Sequence, residues 1–427
     1  MRILEMKSFS IGQLCKKVTS GGTPNTRRTE YYGGNIPWLK TQEVNFNRIY
    51  KTETFITEEG LNNSSAKWIP TNSVIVAMYG ATAGRIAINK IPLTTNQACC
   101  NLIIDSEKAD YRYIYYNLLS RFNSIANMAV GGAQQNLNAG MIKELPIDLP
   151  DLPTQKAIAE ILSSLDDKIE LNNQINQNLE ALAQALFKQW FVDFEFPNEN
   201  GEPYKSSGGE MVDSELGEIP KGWRVGEFGE LVKIINGFAF KSRDFQEFGE
   251  SAVIKIKNIS ANLVDVENTQ FIPESVAKAT NQKFHIKEGE ILIAMTGAEV
   301  GKIGITPKSG KKLFLNQRVG KFQTTLINSE MFIYTFFSSF NLTEDVKSRA
   351  LGSAQPNISS SGIESIKCIL PTSNTILDFE KSVGGFYPLL LNNWNEIKTL
   401  SNLRDTLLPK LISGELEVNE SLLEQNF

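Results

Sequence analysis

Val74-Ile75-Val76-Ala77-Met78-Tyr79-Gly80-Ala81-Thr82-Ala83-Gly84-Arg85-Ile86-Ala87-Ile88 returns as Ile291-Leu292-Ile293-Ala294-Met295-Thr296-Gly297-Ala298-Glu299-Val300-Gly301-Lys302-Ile303-Gly304-Ile305. The offset is 217 in a chain of 427 residues. Each copy opens on an apolar run, passes through a turn of small residues, reaches one cation and turns apolar again. Short apolar runs bounded by glycine read as buried strands. The chain therefore carries one fold twice.

The match extends outward on both sides. Gly12-Gln13-Leu14 answers to Gly229-Glu230-Leu231, Gly21 to Gly237, and Asn96-Gln97 to Asn316-Gln317. Ala133-Gln134-Gln135-Asn136 answers to Ala354-Gln355-Pro356-Asn357, and Leu149-Pro150 to Leu370-Pro371. After each Leu-Pro a helical stretch holds Leu171-Asn172-Asn173 or Leu391-Asn392-Asn393. The offset drifts only from 215 to 221, which short loop insertions explain. Such a period is too long for a solenoid and fits duplication of a domain.

Within each copy the elements are mixed α and β. Ile36-Pro37-Trp38-Leu39 and Val253-Ile254-Lys255-Ile256 read as further strands, and Tyr111 to Ala126 and Met331 to Phe340 as helices. Residues 154–193 read as one long helix, because no Gly or Pro follows Pro153, which sits where a first-turn proline is tolerated. Ile158, Ile161, Leu165, Ile169, Ile175, Leu179, Leu182 and Leu186 recur at steps that suit a coiled-coil seam, and Asn172 fills the one polar place. A buried polar residue there can fix register. The second stretch, about 374–412, has Phe379, Val383, Leu390, Ile397, Leu400 and Leu407, with Asn393 in a comparable place. Gly384-Gly385 interrupts it and predicts a kink or short break. The simplest way to bury both seams is against each other, antiparallel. The expected architecture is α/β (α+β), with two mixed domains joined by two long antiparallel helices and internal two-fold pseudo-symmetry. The segments are 1–152, a first domain; 153–195, a first helix; 196–222, a polar linker; 223–373, a second domain; 374–415, a second helix; and 416–427, a tail.

Charge follows the repeat. Residues 1–150 hold 16 Lys+Arg against 11 Asp+Glu, and 223–373 hold 18 against 15. Residues 151–222 hold 5 against 14, and 374–427 hold 4 against 8. Basic domains suit phosphates, and acidic helices suit a protein partner. Hydrophobic content of 41% and charged content of 21% are ordinary for a soluble globular protein. No apolar run approaches the roughly 20 residues that span a bilayer, and no signal-peptide core opens the chain. A cytoplasmic location without membrane contact is expected. Cys15, Cys99, Cys100 and Cys368 have no metal-ligand spacing and read as buried small apolar residues in a reducing compartment.

Catalytic material is scarce. His285 is the only histidine. No phosphate-cradling loop or dinucleotide fingerprint occurs, and the Asn/Asp-Pro-Pro-aromatic motif of amino-methyltransferases is absent. Asp151, Asp166 and Lys168 resemble a nuclease set, but Asp166 and Lys168 lie two residues apart on a helix and point to different faces. No catalytic residue and no metal site are assigned.

Binding features are stronger. Gly21, Gly22, Thr23, Arg27 and Arg28 form a flexible basic loop, and Lys40, Thr41 and Gln42 follow a strand. Tyr79 and Arg85 flank the small-residue turn, and Asn96, Gln97, Gln134, Gln135 and Asn136 add amides that can read adenine edges. The second copy offers Lys241, Lys255, Lys257, Asn258, Thr296, Lys302, Asn316, Gln317, Arg318, Gln355 and Asn357. A chain with its own two-fold repeat also matches the pseudo-symmetry of duplex DNA.

The order of these parts resembles the specificity subunit of Type I restriction–modification enzymes. The resemblance rests on Gly21-Gly22-Thr23-Pro24, Gly33-Gly34-Asn35-Ile36-Pro37-Trp38, Met78 to Gly84, Asn96-Gln97, Leu152 to Ala159, and Glu215-Leu216-Gly217-Glu218-Ile219-Pro220-Lys221-Gly222-Trp223. It implies two target-recognition domains that each read half of a bipartite DNA sequence. It implies helices that measure the gap and dock two methyltransferase subunits, with motor-nuclease subunits joining through the complex. Such a chain is non-catalytic. S-adenosylmethionine, ATP and Mg belong to the partners, and no cofactor is expected here. The second copy departs from the pattern with Asn236-Gly237-Phe238-Ala239-Phe240-Lys241-Ser242, so its half-site should differ. Two other readings stay open: a coiled-coil scaffold that binds proteins without DNA specificity, and a self-contained restriction or modification enzyme.

Overall fold

The computed structural model describes residues 6–130, 136–260, 262–339, 342–350 and 356–418. It contains two compact units. One comprises residues 1–168 with 400–427, the other residues 169–399.

The first unit is built on a five-stranded sheet in the order Cys15–Ser20, Cys99–Ile104, Val74–Ala77, Ile86–Asn89, Asn47–Ile49. All neighbours are antiparallel except the last pair. Successive side chains of a strand face opposite ways, and the repeated motif uses both faces. Val74, Val76 and Met78 join a core under the helix Tyr111–Ser120, while Ile75 and Ala77 join a second core with Leu39, Val44 and Leu93. This is why the run is apolar without alternation. The helix Tyr111–Ser120 starts at Asp110, whose carboxylate accepts the backbone N–H groups of Arg112 and Tyr113. A smaller sheet sets Tyr32–Leu39 antiparallel to Thr54–Ile56 and parallel to Thr94–Thr95.

The second unit repeats this plan. Its main sheet runs Val232–Asn236, Val319–Thr324, Ile291–Ala294, Ile303–Ile305, Asn262–Val264, Ile259–Ser260. Ile291, Ile293 and Met295 face the core under Glu330–Ser339, and Leu292 and Ala294 face the other side. The smaller sheet holds Ser251–Ile254 parallel to Lys312–Leu315. In both motif turns two glycines adopt left-handed backbone: Gly80 (φ 71°) and Gly84 (φ 83°), Gly297 (φ 76°) and Gly301 (φ 84°). A side chain disfavours that conformation, which fixes the Gly-Ala-x-x-Gly spacing.

Several expectations need correction. The helix expected from Tyr111 to Ala126 is two helices, Tyr111–Ser120 and Phe122–Val130. Arg121 breaks it: its N–H turns back to the Leu118 carbonyl and its guanidinium donates to the Pro146 carbonyl at 2.6 Å. The long helix runs Leu152–Phe187 and closes in a π turn, Lys188–Val192. Its buried face matches the expected seam only in part. Leu182 is 58% exposed, and Ile161, Leu165, Ile169 and Ile175 are only half-buried. Of the expected seam Ile158 and Asn172 are buried, and Gln155, Ala159, Leu162, Asn176, Ala183 and Phe187 are buried with them. Ile158, Ala159 and Leu162 pack in the core of the first unit, and Ala183 and Phe187 in that of the second, so globular cores as well as the second helix choose its buried face.

The second helical stretch breaks at the glycines, giving Ser373–Val383 and Phe386–Ser413. In the second unit Asn172 donates to Glu396 at 2.8 Å and Asn393 donates to Asn176 at 2.8 Å. Rising numbers on one helix meet falling numbers on the other, so the pair is antiparallel. Asn172 and Asn393 are both buried as expected, but each meets a different partner rather than the other. In the first unit Leu408 and Leu411 pack with Ile158, Ala159 and Leu162, and Arg404 binds Asp166 at 2.8 Å.

Candidate nucleic-acid interface

Four backbone hydrogen bonds gather the expected residues of the first unit. Gly21 N–H donates to Cys99 O, Asn96 N–H to Leu39 O, Met78 N–H to Ala98 O, and Leu137 N–H to Met78 O. They bring the loop at Thr23, the strand end at Lys40, the turn at Tyr79, the pair Asn96-Gln97 and Asn136 to one edge. The second unit makes the same four bonds: Gly237 to Val319, Asn316 to Ile254, Met295 to Arg318, and Ile358 to Met295. These join Lys241, Lys255, Thr296, Asn316-Gln317-Arg318 and Asn357 in the same way. In each unit the gathered edge lies at the C-terminal ends of two parallel strands, Tyr32–Leu39 with Thr94–Thr95, or Ser251–Ile254 with Lys312–Leu315.

The expected residues divide by burial, and Arg27 and Arg28 precede the N-terminal end of Tyr32–Leu39, away from the gathered edge. Arg27, Arg28, Gln42, Tyr79, Gln97 and Asn136 are exposed, as are Lys241, Lys257, Lys302, Gln317, Arg318 and Asn357. Arg28 pairs with Glu30 at 3.1 Å, and Lys302 pairs with Glu299. Arg85 is half-buried and donates to Asn45 at 2.9 Å. Lys40 is half-buried, with its ammonium 5.7 Å from the Trp38 ring centre. Lys255 lies 3.5 Å from the Phe245 ring centre, and burial with the charge of Lys257 pushes its pKa below the usual lysine range. Thr23 is half-buried and bonds the Gln97 side chain. Thr296 bridges to Asn357 along the backbone.

Other expected readers are structural. Gly21 and Gly22 are buried, and a side chain on either would collide with backbone at Thr95–Asn96 or Ser65–Ala66. They permit close packing rather than an exposed flexible loop. Thr41 is buried. Asn258 is buried, accepting Lys255 N–H at 3.0 Å and donating to Asn268 O at 2.9 Å. Asn96 and Asn316 are half-buried, and each side-chain oxygen accepts a backbone N–H two residues on. Gln134, Gln135 and Gln355 lie outside the described residues.

Two aromatic residues beside these edges escaped the sequence reading. Trp68 is 48% exposed, just beyond the Ser65–Ala66 backbone that Gly22 packs on. Phe238 is 39% exposed and occupies the place of Gly22: its N–H donates to Leu315 O as that of Gly22 donates to Thr95 O. The repeat alignment itself carried that signal.

The four cysteines are free; burial pushes the thiols of Cys15, Cys100 and Cys368 up to about 12 and that of Cys99 higher still. The His285 ring packs on Phe314 at 4.6 Å. Among the described residues no group of His, Cys, Asp and Glu could hold a metal, and no helix is long and apolar enough to cross a membrane.

Comparison with known proteins shows the family. The profile described as Type I restriction modification DNA specificity domain matches residues 4–181 and 220–381. The chain is 30% identical over 434 residues to the MjaIX specificity subunit of Methanocaldococcus jannaschii, covering 97% of both chains. It is 27% identical over 472 residues to the HindI specificity subunit of Haemophilus influenzae, covering 96% of this chain and 100% of the other. The fold resembles the crystal structure of a Type I S subunit from M. genitalium, with TM-score 0.60, 18% identity, and coverage of 96% and 97%. The two profile matches span both copies of the internal repeat, and the chain belongs to the Type I restriction–modification DNA specificity family.

Proposed function

We propose that this chain is the DNA specificity subunit of a Type I restriction–modification complex. Each gathered edge reads one half of a bipartite duplex target. The long helices set the unread gap and dock two methyltransferase subunits, and motor-nuclease subunits join through that complex. The chain is non-catalytic; S-adenosylmethionine, ATP and Mg are bound by the partner subunits, and the assembly works on DNA in the cytoplasm.

The observation that carries this reading is the duplicated wiring: four equivalent backbone hydrogen bonds hold two edges of equal design but different side chains. Equal design suits two equivalent segments of a duplex. Different side chains suit two different half-sites. Exposed cations position the backbone, while exposed amides and aromatics meet base edges.

The test is modified-base sequencing of genomic DNA from cells making this chain with its methyltransferase subunit. A single bipartite motif bearing N6-methyladenine, lost when the chain is omitted, is the expected result. Exchange of residues 1–150 for those of a relative should change one half-site and leave the other. A swap that alters both halves, or neither, would defeat the modular reading. No motif despite co-purification would return the chain to a protein scaffold.

A further inference from the structure

The two edges differ at one equivalent backbone position, held by Gly22 in the first unit and by Phe238 in the second. Gly22 is buried without a side chain, and its carbonyl accepts the Trp38 indole N–H at 2.9 Å. Phe238 sits at the matching backbone position and carries a ring at the surface. That ring is held in place. It lies 5.0 Å from the Phe240 ring, which is buried, and 5.4 Å from the Phe284 ring, which is half-buried. A ring fixed between two others keeps its exposed face at little cost in side-chain freedom.

Its surroundings are polar and cationic. The Phe238 carbonyl accepts the N–H of Gln317, and exposed Arg318 follows in sequence. Lys283 lies 4.9 Å from the Phe284 ring centre, and exposed Lys241 stands three residues on. Asp244 is half-buried and is answered by Arg243 at 3.8 Å. Glu250 belongs to the opposite end of the small sheet, where its carbonyl accepts Lys312 N–H. An apolar face framed by cations and a primary amide fits a duplex groove. Among base-edge groups, the thymine methyl is the one that takes an apolar contact.

We infer that Phe238 is a specificity-determining residue that contacts a thymine methyl in the half-site read by the second unit. This rests on the proposed function and deepens it. In the first unit the exposed aromatics beside the edge are Trp68, 48% exposed, and Tyr79, 41% exposed, the latter at the place where the second unit has Thr296. The two edges thus present different aromatic residues on one scaffold, which suits two different half-sites.

The experiment uses the full-length chain with its methyltransferase subunit and a duplex pool randomised over both half-sites. The wild type should enrich a thymine at one position of one half-site. Replacing that thymine by uracil, which lacks only the methyl, should weaken wild-type binding about fivefold. Phe238→Ala should lose that preference and its sensitivity to uracil, while the other half-site and the remaining positions persist. Phe238→Leu keeps apolar contact and should retain part of the preference, which separates contact from misfolding. An unchanged motif and undiminished uracil sensitivity in Phe238→Ala would overturn the assignment. Loss of the entire half-site in both variants would overturn it too, because the residue would then act through the fold. If the wild type enriches no motif at all, the specificity reading fails first and the assignment falls with it.

Discussion

Lys257 and Asn258 are neighbours in sequence, yet one is exposed and the other is buried with its amide engaged on both sides. They should respond oppositely to truncation. Lys257→Ala should lower DNA affinity alike for all sequences and reduce the salt slope by about 0.9, with unfolding unchanged. Asn258→Ala should cost about 1–3 kcal/mol in denaturant unfolding and leave the salt slope alone. Both residues read as binding candidates in the sequence because type and position were visible and direction was not. A 3-10 turn, Ile256–Asn258, sends one side chain out and the next in. Glu380 shows the same blindness for a titrating group. Burial pushes its carboxyl up to about 7, although it accepts the Phe332 N–H at 2.6 Å. The folded state then binds the proton more tightly than the unfolded state does. Stability from this group is greatest below about pH 4.5 and declines as pH rises through about 7, by an order of 3 kcal/mol in all. Glu380→Gln should remove that decline. Unfolding midpoints of the two proteins at pH 5 and pH 8 would show it, and parallel changes in both would contradict it.

The elements were legible wherever pattern and burial coincide. The motif strands, the Gly-rich turn, the long helix and the break at Gly384-Gly385 all follow from local sequence. The seam did not, because apolar spacing cannot say which of two neighbours a helix will face. Leu182 fits a heptad and is exposed, while Asn176 was passed over and is buried against Asn393. The two glycines at the break also have unequal duties. A side chain at Gly385 would meet nothing within 4 Å, whereas one at Gly384 would press on the Glu380 carbonyl at 2.6 Å. Gly385→Ala should therefore raise stability by about 0.5–1 kcal/mol, and Gly384→Ala should lower it. Thermal unfolding of the two variants would decide, and equal shifts would deny the distinction.

Across the molecule the repeat was the most legible feature, since it needs only comparison of the chain with itself. The wiring that gathers each edge was not, because Asn96–Leu39 or Met78–Leu137 contacts join segments far apart in sequence. Insertion of a short helical repeat near Leu179, balanced in the second helix, should widen the unread gap while both half-sites persist. Modified-base sequencing would report the new spacing, and a change in either half-site would count against separate reading and measuring parts.

The first unit is discontinuous in sequence: residues 1–168 are completed by 400–427, with the whole second unit between them. Leu408 and Leu411 belong to the first unit's core. On the ribosome, then, the portion begun first is finished last. It must wait, with part of its core open, until the second unit has been synthesised. A premature stop near residue 400 would damage the unit that holds residues 6–168 and spare the unit made just before the stop.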